Sequence, residues 1–153
     1  MPRSDDYNTL LAFDFGLKQI GVAQGQTLTG AANALSIVRA ADGVPNWGEI
    51  ESLIQEWKPN LLLVGLPLNM DGSESDLSQR ARKFARRLEG RFQCDVLMVD
   101  ERLTSREVKS SLRQSASQTG RRKKPADLSK IDHLAAALIL QSWLDNPQLG
   151  HRV

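Results

Sequence analysis

The sequence predicts an α/β protein: a mixed five-stranded sheet flanked by helices. Three observations carry that reading. Three strand-like runs near the amino terminus (10–15, 19–24 and about 33–38) are joined by links too short for a crossover helix, so they should form an antiparallel meander. Helical periodicity then alternates with two short apolar runs, 61–64 and 94–99, the rhythm of parallel strands covered on both faces. The 153 residues, 41% hydrophobic and 25% charged, suit one domain (1–153) with a full hydrophobic core.

Taken in order, residues 1–9 form a polar tail with Asp5 and Asp6 and lack the character of a signal peptide. The first strand, Leu10 to Phe15, carries Asp14 near its end and is turned by Gly16 into the second. After the meander, Pro45 should open a helix with apolar positions at Trp47, Ile50, Leu53, Ile54 and Trp57, stopped by Lys58-Pro59-Asn60. Leu61-Leu62-Leu63-Val64 reads as a central strand, and Gly65 to Gly72 as the loop at its carboxyl end. A helix to about Leu88 follows, with Ala81, Phe84, Ala85 and Leu88 along one stripe.

The fifth strand begins at Cys94 and runs into Asp100-Glu101. Thr104 or Ser105 can cap a helix to about Arg113. Residues 114–129, rich in Ser, Gln, Lys and Arg, read as a flexible basic loop. The last helix presents Ile131, Leu134, Ala135, Leu138, Ile139 and Trp143 to the core and ends at Asn146-Pro147. The single cysteine excludes an internal disulfide and reads as a small buried hydrophobe. No apolar run approaches the roughly 20 residues that span a bilayer, so the expected setting is cytoplasmic, without a membrane partner. A net charge of +2 does not by itself indicate nucleic-acid binding; the distribution of charge has to carry that argument.

Three acids fall at the ends of separate elements: Asp14 near the end of the first strand, Glu101 just past the end of the fifth and Asp132 in the expected first turn of the last helix. In open α/β sheets, sites form at the carboxyl ends of strands. Carboxylates gathered there repel one another unless a divalent cation lies between them, and oxygen ligands of this kind suit Mg2+ or Mn2+. Two such ions activate water and stabilise a leaving oxygen in phosphodiester cleavage. Each acid also has an ordinary explanation. Asp14 can serve a turn, Glu101 can pair with Arg102 or Arg106, and Asp132 can complement a helix dipole.

Four stretches resemble one known family. They are Asp14-Phe15-Gly16 with Ile20-Gly21-Val22-Ala23, Val64 to Ser73, Asp100 to Ser105, and Asp132 with Ala135-Ala136 and Ile139-Leu140. In matching order over residues 10–145, they are similar to the YqgF family, also called RuvX. The resemblance implies a ribonuclease H-like fold and a divalent-metal-dependent nuclease in which Asp14, Glu101 and Asp132 are the metal-binding catalytic carboxylates. It also implies a role in maturing the 5′ end of pre-16S ribosomal RNA. The family's alternative label, Holliday junction resolvase acting on four-way DNA, rests on fold analogy.

Candidate nucleic-acid contacts surround the acids. Lys18 or Gln19 can meet a position that is often basic in the family's first motif, and Lys18 is the candidate phosphate contact. Asn69 and Ser73 offer polar contacts from the Gly65 to Ser75 loop, whose glycines permit close backbone approach. Arg102 and Arg106 can contact phosphate or pair with Glu101 and Glu107, and Arg121-Arg122-Lys123-Lys124 can grip the backbone shortly before Asp132. Arg80, Lys83, Arg87 and Arg91 form a basic helical stripe that reads as a solvated face. His133 reads as a surface residue, since neighbours on a helix point about 100° apart.

The expected partners are therefore precursor ribosomal RNA, branched DNA and ribosomal particles, with the chain a monomer or weak dimer. A non-catalytic RNA-binding assembly factor is the rival of a different class. A phosphate-binding half of a sugar-kinase or actin-like domain ranks last, because one domain of this length cannot close over a nucleotide.

Overall fold

The computed structural model describes residues 9–102 and 127–153, with side chains from 134 onward in the second span. Its sheet has seven strands, in the order β4-β3-β2-β1-β5-β6-β7. Strands β1 (Thr9–Asp14), β2 (Gln19–Gln26) and β3 (Ala31–Ala41) form the expected antiparallel meander. β5 (Leu61–Leu66) lies parallel to β1, and β6 (Asp95–Asp100) lies parallel to β5. Two short edge strands, β4 (Val44–Pro45) and β7 (Gly150–Arg152), raise the count above the expected five. At two and three residues, neither has the length from which a period can be read.

Helix α1 (Trp47–Trp57) starts later than Pro45 implied. Pro45 pairs with Ala40 in the edge hairpin, and the Asn46 side chain caps the helix by accepting from Gly48 N and Glu49 N at 3.1 and 3.3 Å. Helix α2 (Asp76–Phe92) buries Ala81, Phe84, Ala85 and Leu88, as its stripe required. Helix α3 (Asp127–Asp145) begins earlier than expected, so Asp132 lies in its second turn and residues 127–129 belong to it rather than to a loop. Its buried positions are Ala136, Ile139, Leu140 and Trp143, whereas Leu134 is exposed. Residues 134–140 are all apolar, so the period alone could not select the face; packing on the sheet does. A 3-10 turn, Pro147–Leu149, leads into β7.

Alternation along the central strands divides the core into two layers. Leu11, Phe13, Leu62 and Val64 face α1 and α2, while Leu10, Ala12, Leu61, Leu63 and Val99 face α3. Every residue of β5 is buried, as expected of a parallel strand covered on both sides. Cys94 is half-buried rather than fully buried; its thiol lies 3.7 Å from the Pro59 carbonyl oxygen, and burial pushes its pKa up to about 11. No helix among the described residues is long and apolar enough to cross a membrane.

The loop leaving β5 is tied to α2 by Ser78, a fully buried polar side chain. Its hydroxyl donates to the Pro67 carbonyl and accepts from Ser75 N, and the Ser75 hydroxyl accepts from Ser78 N to close a capping box. Ser78→Ala should leave both backbone groups without these partners. We expect a loss of about 1–3 kcal/mol in urea-induced unfolding.

Candidate metal centre and nucleic-acid face

The same alternation fixes what happens at the carboxyl ends of β1, β5 and β6. Asp14 shares a face with Leu10 and Ala12, Gly65 with Leu61 and Leu63, and Glu101 follows the parity of Val99. All three therefore fall on the α3 side of adjacent parallel strands, with Gly65 in the middle. A side chain at Gly65 would occupy this space: an ideal Cβ would collide with Glu101 Oε1 and lie 2.6 Å from Ile139 Cδ1. Because Gly65 has none, the Glu101 side chain can cross the strand, and its carboxyl group is hydrogen-bonded to that of Asp14.

Glu101 consequently holds its proton. Burial is the main cause, followed by the hydrogen bond to Asp14 and the negative charges of Asp14 and Asp100, and together they push its pKa up to about 9. In the metal-free protein near neutral pH, the Asp14–Glu101 pair therefore retains a proton between its two carboxyl groups. Asp100, of opposite parity, has a different partner. Burial raises its pKa, but the Arg102 guanidinium, bonded to it at 2.8, 3.1 and 3.2 Å, holds it below the usual carboxylate range.

Arg102 also donates to the Met70 carbonyl oxygen at 3.4 Å, fastening the β5–α2 loop to the end of β6. Asn69 and Ser73 meet inside that loop: Asn69 Nδ2 donates to Ser73 Oγ at 3.0 Å, and Ser73 Oγ donates to Asp71 at 2.6 Å. The hydroxyl and backbone N–H of Ser73 lower the pKa of Asp71. Lys18 borders an open groove of about 410 Å³ that also touches Asp14, Phe15, Gln19 and Leu77. Asp132 lies within the α3 backbone, but its side chain is outside the described set; so are Arg106, Arg121, Arg122, Lys123, Lys124 and the helix expected after Thr104. Among the described residues there is no cluster of three acid, His or Cys ligands; Asp14 and Glu101 are two such groups in contact. Gly65 was visible in the sequence as a loop residue, but its part in letting the carboxyls meet needed the strand register to be recognised.

A meander joined to parallel strands, with acidic residues meeting at their carboxyl edge, defines a ribonuclease H-like fold. The fold resembles that of Thermus thermophilus RuvC at 12% identity, covering 95% of this chain and 99% of that one with a TM-score of 0.54. The yeast mitochondrial Holliday junction resolvase Ydc2 matches with a TM-score of 0.50 at 12% identity, over 90% of this chain and 78% of that one. The chain belongs to the RuvX family, described as Holliday junction resolvase, which it matches over residues 8–146. A Haemophilus ducreyi relative named "Putative pre-16S rRNA nuclease" is 53% identical over 90% of this chain and 96% of its own length. A Pseudomonas aeruginosa relative of the same name is 50% identical over 88% of this chain and 90% of its own.

The carboxyl pair has a signature in stability. Glu101 titrates near 9 when folded and near the usual 4.5 when unfolded, so between those values the folded state holds the extra proton. This contribution is fully present below the unfolded pKa and is lost as pH rises towards the folded one. In EDTA, the melting temperature should therefore fall from pH 5 to pH 8.5, and Glu101→Gln should flatten this slope.

Proposed function

We propose that the chain is a divalent-metal-dependent nuclease that hydrolyses phosphodiester bonds in precursor 16S ribosomal RNA, in a cytoplasmic setting and with ribosomal particles as partners. The observation that carries this reading is the Asp14–Glu101 carboxyl pair across Gly65, in a chain of a nuclease family whose relatives bear the ribosomal RNA name. Two carboxyls forced to share a proton form a site where a divalent cation can replace that proton and relieve the repulsion. The donor set fits Mg2+ or Mn2+, since it is all oxygen. Asp14 and Glu101 would hold the ion, with Asp132 as third ligand. Asp132 precedes Ala136 and Ile139 by four and seven residues, the spacing of one helix stripe, and both of those residues belong to the same buried cluster as Ala12 and Leu63.

A cation held there supplies activation of water and stabilisation of the leaving oxygen. The chain's own residues position the strand. Lys18 on the groove beside Asp14, and Arg106, Arg121, Arg122, Lys123 and Lys124, would neutralise backbone phosphates, with Asn69 and Ser73 meeting sugar or phosphate from the loop that Arg102, itself paired with Asp100, holds in place. A specific observation favours a second reading, cleavage of four-way DNA: the family's own description is Holliday junction resolvase.

The test is cleavage of a labelled 5′ precursor 16S fragment and a four-way DNA junction, with Mg2+, Mn2+ or EDTA. Asp14→Asn should abolish RNA cutting while its melting curve stays cooperative; full cutting by this variant would remove Asp14 from the site. Junction cutting alone would favour the second reading. RNA binding with no cutting by either form would support a non-catalytic assembly factor. Gly65→Ala should lower cleavage on the order of 100-fold, because its methyl group displaces Glu101 from Asp14 and small misplacements cost that much. If its cleavage equals wild type, Glu101 has no part in the reaction.

A further inference from the structure

A second depression lies around the sheet edge from Asp14, on the α1 and α2 side, with a volume of about 330 Å³. Phe15, the residue after Asp14, borders both this pocket and the groove beside Asp14, so the two flank the same side chain. The floor is aromatic and firmly packed: the Phe84 ring centroid lies 5.3 Å from that of Phe15 and 5.8 Å from that of Trp47. The rim carries Arg80, Lys83 and Arg87 from successive turns of α2.

These cations are not equivalent. Arg80 is held by Asp76 at 3.1 Å and by the Asp42 carboxylate at 3.2 Å, and it also donates to the Asp42 carbonyl. Asp42 and Gly43 occupy the left-handed turn of the β3–β4 hairpin, at φ of 49° and 82°, which brings the backbone against Phe15 and Arg80. Asp42 is the acid on the pocket wall, and Arg80 engages it. Among the described residues, neither Lys83 nor Arg87 forms an ion pair, and both are exposed. The Trp47 ring stacks on Phe84 and lies beneath the Arg91 guanidinium, 4.3 Å from its centroid, so neighbours of the chain itself already engage it.

We infer that this pocket binds a backbone phosphate of the nucleic-acid strand whose scissile bond lies at Asp14, with Lys83 and Arg87 as its ligands and Arg80 as the fixed wall. The inference rests on the nuclease reading above and adds a subsite to it. It separates these cations from a generic solvated face, because Arg86, exposed on the same helix, does not line the pocket.

Binding of a fluorescent single-stranded RNA from the 5′ precursor region would be measured by anisotropy from 50 to 300 mM salt. All proteins would carry Asp14→Asn, so that binding is read without cutting. Lys83→Ala/Arg87→Ala should weaken binding about 10- to 30-fold at 100 mM salt and reduce the log–log salt slope by about 0.7 for each phosphate no longer neutralised. Arg86→Ala should stay within about twofold of the parent. A single methylphosphonate beside the cleavage position should weaken the parent but not the double variant. Unchanged affinity and slope in the double variant, or an equal loss in Arg86→Ala, would overturn the pocket and leave the nuclease reading intact. Tight binding of inorganic phosphate alone, with RNA affinity unchanged by the double substitution, would assign the pocket to a free anion and also overturn it. A parent that binds neither this RNA nor a four-way junction would overturn the nuclease reading and the subsite together.

Discussion

Two carboxyl groups in hydrogen-bond contact in a half-buried site cannot both ionise unless a positive charge joins them. The centre of the sheet is arranged around that constraint. Asp14 ends β1 and Glu101 follows β6, strands that are not neighbours, with the whole of β5 between them, so the two meet only by passing over it. Any side chain on β5 at that level and on that face would keep them apart, and the position is Gly65. The strand carrying this gap is buried along its full length, so the pair rests on backbone that is covered on both faces.

The surrounding charges limit how much repulsion reaches the pair. Asp100 is adjacent in sequence to Glu101, and its charge adds to the shift there. Alternation directs it away, and Arg102 meets both of its carboxylate oxygens. The same guanidinium reaches the Met70 carbonyl, so neutralising Asp100 and holding the β5–α2 loop are one arrangement. The loop contributes its own order through Asn69, Asp71 and Ser73, and Ser78 fixes its start to α2.

What the sequence made legible follows from where period and parity are unambiguous. The meander, the central apolar strand and the α2 stripe were readable because their hydrophobic patterns admit one solution. The opposite orientations of Asp100 and Glu101 also followed from strand parity. The edge strands were not readable, being too short to carry a period, and the buried face of α3 was not, because apolar residues surround it from 134 to 140. Pro45 illustrates a local ambiguity: it suits both a first helical turn and an edge strand, and Asn46 as cap decides between them. Contact between Asp14 and Glu101 depends on the register of three strands, and in the sequence alone Gly65 looks like any loop glycine.

A net charge of +2 says little about how this surface meets a polyanion, because cations of two kinds are summed in it. Arg80, Arg82 and Arg102 are engaged by carboxylates and hold the hairpin turn, α2 and the β5–α2 loop in place. Lys83 and Arg87 have no such partner among the described residues and stand beside a pocket that shares Phe15 with the Asp14 groove. An ion-paired arginine offers a phosphate little attraction, since its field is already compensated, whereas an uncompensated one at a concave edge offers its full charge in a region of focused potential. The cations that position the fold and those free to hold a strand are therefore different residues, and carboxylate placement on the neighbouring elements decides which is which.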